Sequence, residues 1–194
     1  EIGKNYLRER KEIEEEYKTR RENLLKTEEP KSFREKKRTE EVNYEEIIKG
    51  GENDDVEFKE SLRYGYQRGG VVIKSAELII SKAISSFMNA EGGRLFIGVE
   101  DNGNILGIEN DYLTCKHKNK DGFLLQFTQV INQYLGKEFH QFMNIKVFPM
   151  SGKDICVVDV VKSKMPVYVK NVGNIEFYVR ASATSQQYNM REAN

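Results

Sequence analysis

The segment Arg94-Leu-Phe-Ile-Gly-Val99 constrains the fold of this chain more than any other. It is entered by Gly92-Gly93 and left by Asp101-Asn-Gly-Asn104, a strong turn signal. A short apolar run between such signals reads as a strand covered on both faces, at the centre of a sheet. Its surroundings supply the rest of a domain. Val56–Leu62 alternates, with Val56, Phe58 and Leu62 on one side and Glu57 and Lys59 on the other, the pattern of a half-buried strand. In Ser75–Asn89, Ala76, Ile80, Ala83 and Phe87 recur at helical spacing, and Phe123–Leu135 reads as a second amphipathic helix. Ile105–Ile108 is expected to return as a hairpin partner of the central strand. Further strands are expected at Ile145–Pro149, Ile155–Val161, Val167–Val169 and Ile175–Val179. Asn43, with a Glu three residues on and Gly50 after, brackets a short helix. The sum is α+β: one mixed sheet with two main helices.

A different composition precedes this. Residues 1–41 carry 13 basic and 12 acidic side chains, out of 31 Lys+Arg and 31 Asp+Glu in the whole chain. Residues 4–29 lack Gly and Pro and hold acid–base pairs at i,i+4, so they read as a charged helix. Ile2, Ile13 and Leu24, with Tyr6 and Tyr17, form one narrow stripe. That stripe suits a solvated linker or a coiled coil able to join copies of the chain. Pro30 ends the helix, and the chain divides into an arm, 1–41, and a folded domain, 42–194. Beginning at Glu1 and stopping at Asn194, it reads as a piece of a longer protein.

Several classes are excluded. No run approaches the roughly 18 apolar residues of a membrane-spanning helix, no leader is visible, and with only two cysteines a thiol-reduced, cytoplasmic setting is the expectation. Cys115 and Cys156 make neither a disulfide framework nor a zinc pattern. A net charge of zero gives no global attraction to nucleic acid, so a polyanion site must be a local patch.

The residues with chemical potential are Glu52, Glu57, Lys59 and Asp101. Glu57 and Lys59, two apart on a strand, share the side opposite Val56 and Phe58 and are therefore expected outside the core. Carboxylates meeting at one point bind Mg²⁺ or Mn²⁺, a metal makes water a nucleophile near neutral pH, and a neighbouring ammonium stabilises phosphorane charge. The bland alternatives stand beside this: a strand's polar face for Glu57 and Lys59, a turn residue for Asp101. Convergence carries a condition. If Ser75–Asn89 connects parallel strands, Glu52 and Asp101 fall at opposite ends of the sheet, unless the site sits mid-strand.

Lys116, Lys118, Lys120, Lys164, Lys170 and Arg180 could form a rim for a nucleic-acid backbone, with scattered solvating charges as the alternative. Tyr64 and Tyr66 could stack bases or simply pack their loop. His117 and His140 lack metal-ligand spacing. Gly92-Gly93 follows a helix and precedes a strand, the reverse of a phosphate-cradling loop, so a nucleotide-binding module is disfavoured.

Glu52-Asn-Asp-Asp-Val-Glu-Phe-Lys59, Ile84 through Gly107, Lys164-Met-Pro-Val-Tyr168 and Phe177-Tyr-Val-Arg-Ala-Ser182 occur in that order. Together they resemble the Schlafen AlbA-like domain, a family described as DNA-binding or divergent ATP-binding. The resemblance spans residues 43–194 and implies an α+β nucleic-acid-binding module. Its nuclease branch implies a metal-dependent endoribonuclease acting on structured RNA such as tRNA, with Mg²⁺ or Mn²⁺ held by Glu52, Glu57 and Asp101 and the phosphate steadied by Lys59. RNA is then the favoured partner over DNA, and a phage-defence or stress role the expected setting. Other members imply a non-catalytic nucleic-acid-binding or regulatory domain of a larger protein.

Overall fold

The structure, a computed structural model, describes residues 42–188 together with Glu15, Lys18 and Thr19. The rest of the arm, with its coiled-coil and assembly readings, lies outside the described residues. The elements in order are α1 (Tyr44–Lys49), β1 (Val56–Lys59), α2 (Lys74–Met88), β2 (Gly93–Ile97), α3 (Glu109–Thr114), α4 (Lys120–Tyr134), β3 (Met143–Met150), β4 (Lys153–Val160), β5 (Tyr168–Asn171), β6 (Asn174–Ala181) and β7 (Thr184–Tyr188). The fold is α+β. Its strands form two sheets rather than one: a mixed sheet ordered β1-β2-β4-β3 and an antiparallel sheet ordered β5-β6-β7.

Local chemistry explains most boundaries. Asn43 caps α1 by accepting from the Glu46 N–H at 3.2 Å, and Gly50 closes it. Asn119 caps α4 through the Gly122 N–H at 2.9 Å, so that helix begins at Lys120, ahead of the Phe123 at which the apolar pattern starts it. β3 and β4 meet in a two-residue turn, Ser151-Gly152, where both residues have positive φ. The expected strand at Ile105–Ile108 reduces to one bridge, Val99 to Ile105. There Leu106 and Gly107 both donate to the Gly98 carbonyl instead of continuing a ladder.

Gly92-Gly93 is demanded by a close approach. A Cβ at Gly93 would lie 2.3 Å from the Phe87 ring, and one at Gly92 would lie 2.6 Å from the Val160 carbonyl. The pair lets the chain reverse from α2 into β2 directly against its own helix.

β1 and β2 are parallel, joined through α2, and β4 runs antiparallel to β2. The larger core lies between one face of the mixed sheet and helices α2 and α4. Leu95, Ile97, Cys156 and Val158 meet Ile84, Phe87, Phe127 and Ile131 there, all buried. The opposite face carries Val56, Phe58, Phe96 and Val157 and is covered by Ile48 of α1. Each fully buried Phe or Ile contributes about 1.5–3 kcal/mol. The three-stranded sheet packs on α2. Asn89, capping α2, fastens it: its amide donates to the Val167 and Tyr178 carbonyls, and its oxygen accepts from the Val167 N–H at 2.7 Å. Among the described residues no helix is long and apolar enough to cross a membrane.

Candidate functional site

β1 lies at one edge of the mixed sheet. The register Glu57 to Leu95 and Lys59 to Ile97 puts both polar side chains on the face of the larger core. This corrects the expectation that their side of the strand lies outside the core. The alternation was right, but both faces of β1 are covered, so Glu57 is only 9% exposed.

A buried carboxylate needs partners. Glu57 Oε1 accepts from Lys59 Nζ at 2.5 Å, and Oε2 accepts from Arg180 Nη1. Arg180 reaches in from β6 with its side chain 2% exposed. Its remaining donors are spent on the segment leading into β1: Nη2 on the Asn53 and Val56 carbonyls at 2.7 and 3.0 Å, Nε on the Asp54 carbonyl at 3.3 Å. Its guanidinium also lies 4.9 Å from the centre of the Phe87 ring. Asp54 answers by accepting from the Ala183 N–H at 2.9 Å. One arginine thus ties the two sheets together. Arg180 is consequently not available to a nucleic-acid backbone, which corrects its place in the basic rim.

Glu52 and Lys59 complete the cluster while covering the open edge of β1. Phe58 N–H donates to Glu52 Oε1 at 2.7 Å, and the Phe58 carbonyl accepts from Lys59 Nζ at 2.6 Å. Lys59 Nζ stands 3.9 Å from Glu52 Oε1. The structure therefore brings together Glu52, Glu57 and Lys59.

Asp101 does not join them. It is exposed in a turn held by Gly103 N–H to the Glu100 carbonyl and Asn104 Nδ2 to Glu100 Oε2, and it forms no side-chain hydrogen bond or ion pair among the described residues. β1 and β2 being parallel, the condition for convergence at a common end of the sheet is not met. Among the described residues no three His, Cys, Asp or Glu side chains are grouped so as to hold a metal ion. The donors are also committed, Glu57 to two cations and Glu52 to a backbone N–H. As arranged, these residues do not fit the Mg²⁺ or Mn²⁺ that the resemblance implies.

Sequence reasoning missed the acid that shapes the loop after β1. Asp111, on α3 and 1% exposed, accepts from the N–H groups of Leu62, Arg63 and Tyr64, each at 2.9 Å. Burial pushes its carboxyl above the ordinary carboxylate range, against the pull of those three donors and Arg63. Nothing in the polar string Glu109-Asn-Asp-Tyr112 marks one acid as buried. Arg63 then reaches Glu77 of α2, fully buried, at 3.2 Å.

The tyrosines of this loop pack on each other, 4.9 Å between ring centres and edge to face, and the Tyr66 hydroxyl donates to the Gly107 carbonyl at 3.4 Å. Packing accounts for them without a base. Burial raises both thiols, Cys115 and Cys156, away from the reactive thiolate. Of the basic residues, Lys116, Lys118, Lys164 and Lys170 are exposed and make no ion pair among the described residues. Lys120 differs: its ammonium donates to the Val147 carbonyl at 2.5 Å, on the outer edge of β3.

No curated protein matches the chain. Among solved structures, the DIP2311 protein from Corynebacterium diphtheriae superimposes with a TM-score of 0.51 at 16% identity over 72% of this chain, which spans 23% of that one. The N-terminal domain of a RecG-related protein from Nitrosomonas europaea aligns with a TM-score of 0.42 at 18% identity, covering 70% of this chain and 82% of that domain. Residues 52–189 match the Schlafen AlbA_2 family, a span that takes in β1 with its acidic cluster and runs through β7. This chain belongs to the Schlafen AlbA_2 family.

Proposed function

We propose that the domain binds nucleic acid, RNA in preference to DNA, and serves as a recognition or regulatory part of a larger protein. The observation that carries this reading is the division of the charges. Glu52, Glu57, Lys59 and Arg180 neutralise one another inside the fold, whereas Lys116, Lys118, Lys164 and Lys170 stand exposed and unpaired among the described residues. Exposed ammonium groups with no internal counter-charge release counterions when they meet phosphate. Membership of the Schlafen AlbA_2 family agrees with such a role.

The test is fluorescence anisotropy of the full chain with labelled tRNA, single-stranded RNA and duplex DNA across a salt series. Each lysine that meets a phosphate contributes about one unit to the slope of log affinity against log salt. The double variant Lys116→Ala/Lys118→Ala is expected to weaken binding to every sequence and lower that slope by about one to two, depending on how many of the two ammonium groups meet phosphate. An unchanged slope rejects these lysines as the interface.

A second reading, metal-dependent endoribonuclease action on structured RNA such as tRNA with a defence or stress role, is favoured by the meeting of Glu52 and Glu57 at Lys59. It requires Asp101 and the two glutamates to regroup around a metal. Incubation of tRNA with Mn²⁺ separates the readings. Cleavage by the chain that disappears in Asp101→Asn, an exposed position whose change leaves folding intact, would replace the first reading with the second.

A further inference from the structure

Among the described residues, four strand edges have no neighbouring strand, those of β1 and β3 in one sheet and of β5 and β7 in the other. An unpaired edge offers a row of backbone donors and acceptors to any other strand, and folded proteins block such rows. Three of them carry devices that interrupt such a row. The outward N–H and carbonyl of Phe58 in β1 are taken by Glu52 and Lys59. On β3, Lys120 takes the Val147 carbonyl, and Pro149 has no N–H to offer. β5 is only four residues long, and Tyr168, whose backbone groups face outward in the register with β6, is buried.

Among the described residues, β7 has none of these devices. Its sequence is Thr184-Ser-Gln-Gln-Tyr188, without charge or proline. The register with β6 shows which of its groups face outward. The two-residue turn Ser182-Ala183 is closed by the pair Ala181 to Thr184. That pair and every second one after it, Val179 to Gln186 and Phe177 to Tyr188, exchange hydrogen bonds within the hairpin. The N–H and carbonyl groups of Ser185 and Gln187 therefore point away from β6.

We propose that β7 is a self-association edge, at which a second copy of this chain pairs antiparallel and extends the three-stranded sheet across a twofold axis. The commitment to a second copy rests on self-complementarity. With Gln186 on the axis, Ser185 of one copy lies opposite Gln187 of the other. The outward groups then form four reciprocal hydrogen bonds, an isologous and self-closing contact. Gln186 faces its own counterpart with no charge to oppose the approach. Arg180, in the neighbouring strand, is already neutralised by Glu57. A partner of opposite charge has nothing on this edge to recognise.

The experiment is sedimentation velocity of the full chain over a range of concentrations, with variants read on the same protein. Wild type is expected to show a concentration-dependent monomer–dimer equilibrium. Gln187→Pro removes one outward N–H per copy, hence two of the four hydrogen bonds. It is expected to weaken association more than about tenfold while the far-ultraviolet spectrum and melting midpoint hold, since proline is tolerated on an outward edge position. Gln186→Lys and Gln186→Glu each place like charges across the axis and weaken association about two- to fivefold, whereas an equimolar mixture of the two regains it. Wild type that stays monomeric overturns the proposal. So does a dimer that survives Gln187→Pro, which would put the contact elsewhere. Failure to bind nucleic acid leaves this outcome untouched.

Discussion

Glu57→Gln is the perturbation that tests the arginine clamp most directly. The change keeps the volume of the side chain, so it opens no cavity and isolates the electrostatics. It leaves the Arg180 guanidinium, 2% exposed, without a carboxylate, and Lys59 with only Glu52 at 3.9 Å. Removing one partner of a buried pair typically costs about 3–5 kcal/mol, because the other charge stays buried. For a domain of this size each kcal/mol moves the melting midpoint by about 2–4 °C, so the expected fall is about 6–20 °C. Urea unfolding at neutral pH measures the same loss as a shift in midpoint at constant slope. The double variant Glu57→Leu/Arg180→Leu buries no charge and is expected to lose less than Glu57→Gln alone. Lys162→Ala provides the contrast. Its pair with Glu91 has side chains 56% and 83% exposed, and such a pair is worth at most about 1 kcal/mol. A loss below about 1 kcal/mol in Glu57→Gln, no greater than that of an exposed pair, would refute the clamp as the tie between the two sheets.

Asp111→Asn exchanges an acid that accepts three backbone N–H groups for an amide oxygen with two lone pairs, leaving one donor unpaired. The expected cost is about 1–3 kcal/mol in denaturant unfolding, with hydrogen exchange accelerated at the amides of Leu62, Arg63 and Tyr64. Burial lowers the His140 pKa below its ordinary value of 6.5, with Glu138 pulling the other way. Its stabilising contribution is therefore complete above that value and declines as pH falls through the range beneath it. His140→Phe is expected to flatten the stability profile on the acid side of the ordinary histidine value, and an unchanged profile contradicts the assignment.

The chain shows how far a linear pattern reaches. Helical spacing of Ile80, Ala83 and Phe87 located α2, and the apolar run after Gly92-Gly93 located β2. Both signals are local, because an element that buries one stripe or both faces records that in consecutive residues. β7 gave no such record, since Thr184–Tyr188 is polar and takes its place only from its pairing with β6. α3 was equally silent: six residues are too few to show a helical period.

The sequence by itself determined the α+β composition, the caps of α1, the turn at Asp101 and the family. It also placed Glu57 and Lys59 on one side of β1. Which way that side faced was a tertiary decision, made when α2 and β6 closed over it. The partner of Glu57 was decided there too. Arg180 lies 123 residues away in sequence, and no local rule distinguishes an arginine headed for solvent from one drawn into the core by a buried carboxylate. A buried charge finds its counter-charge in space, and only the closed fold says where that is.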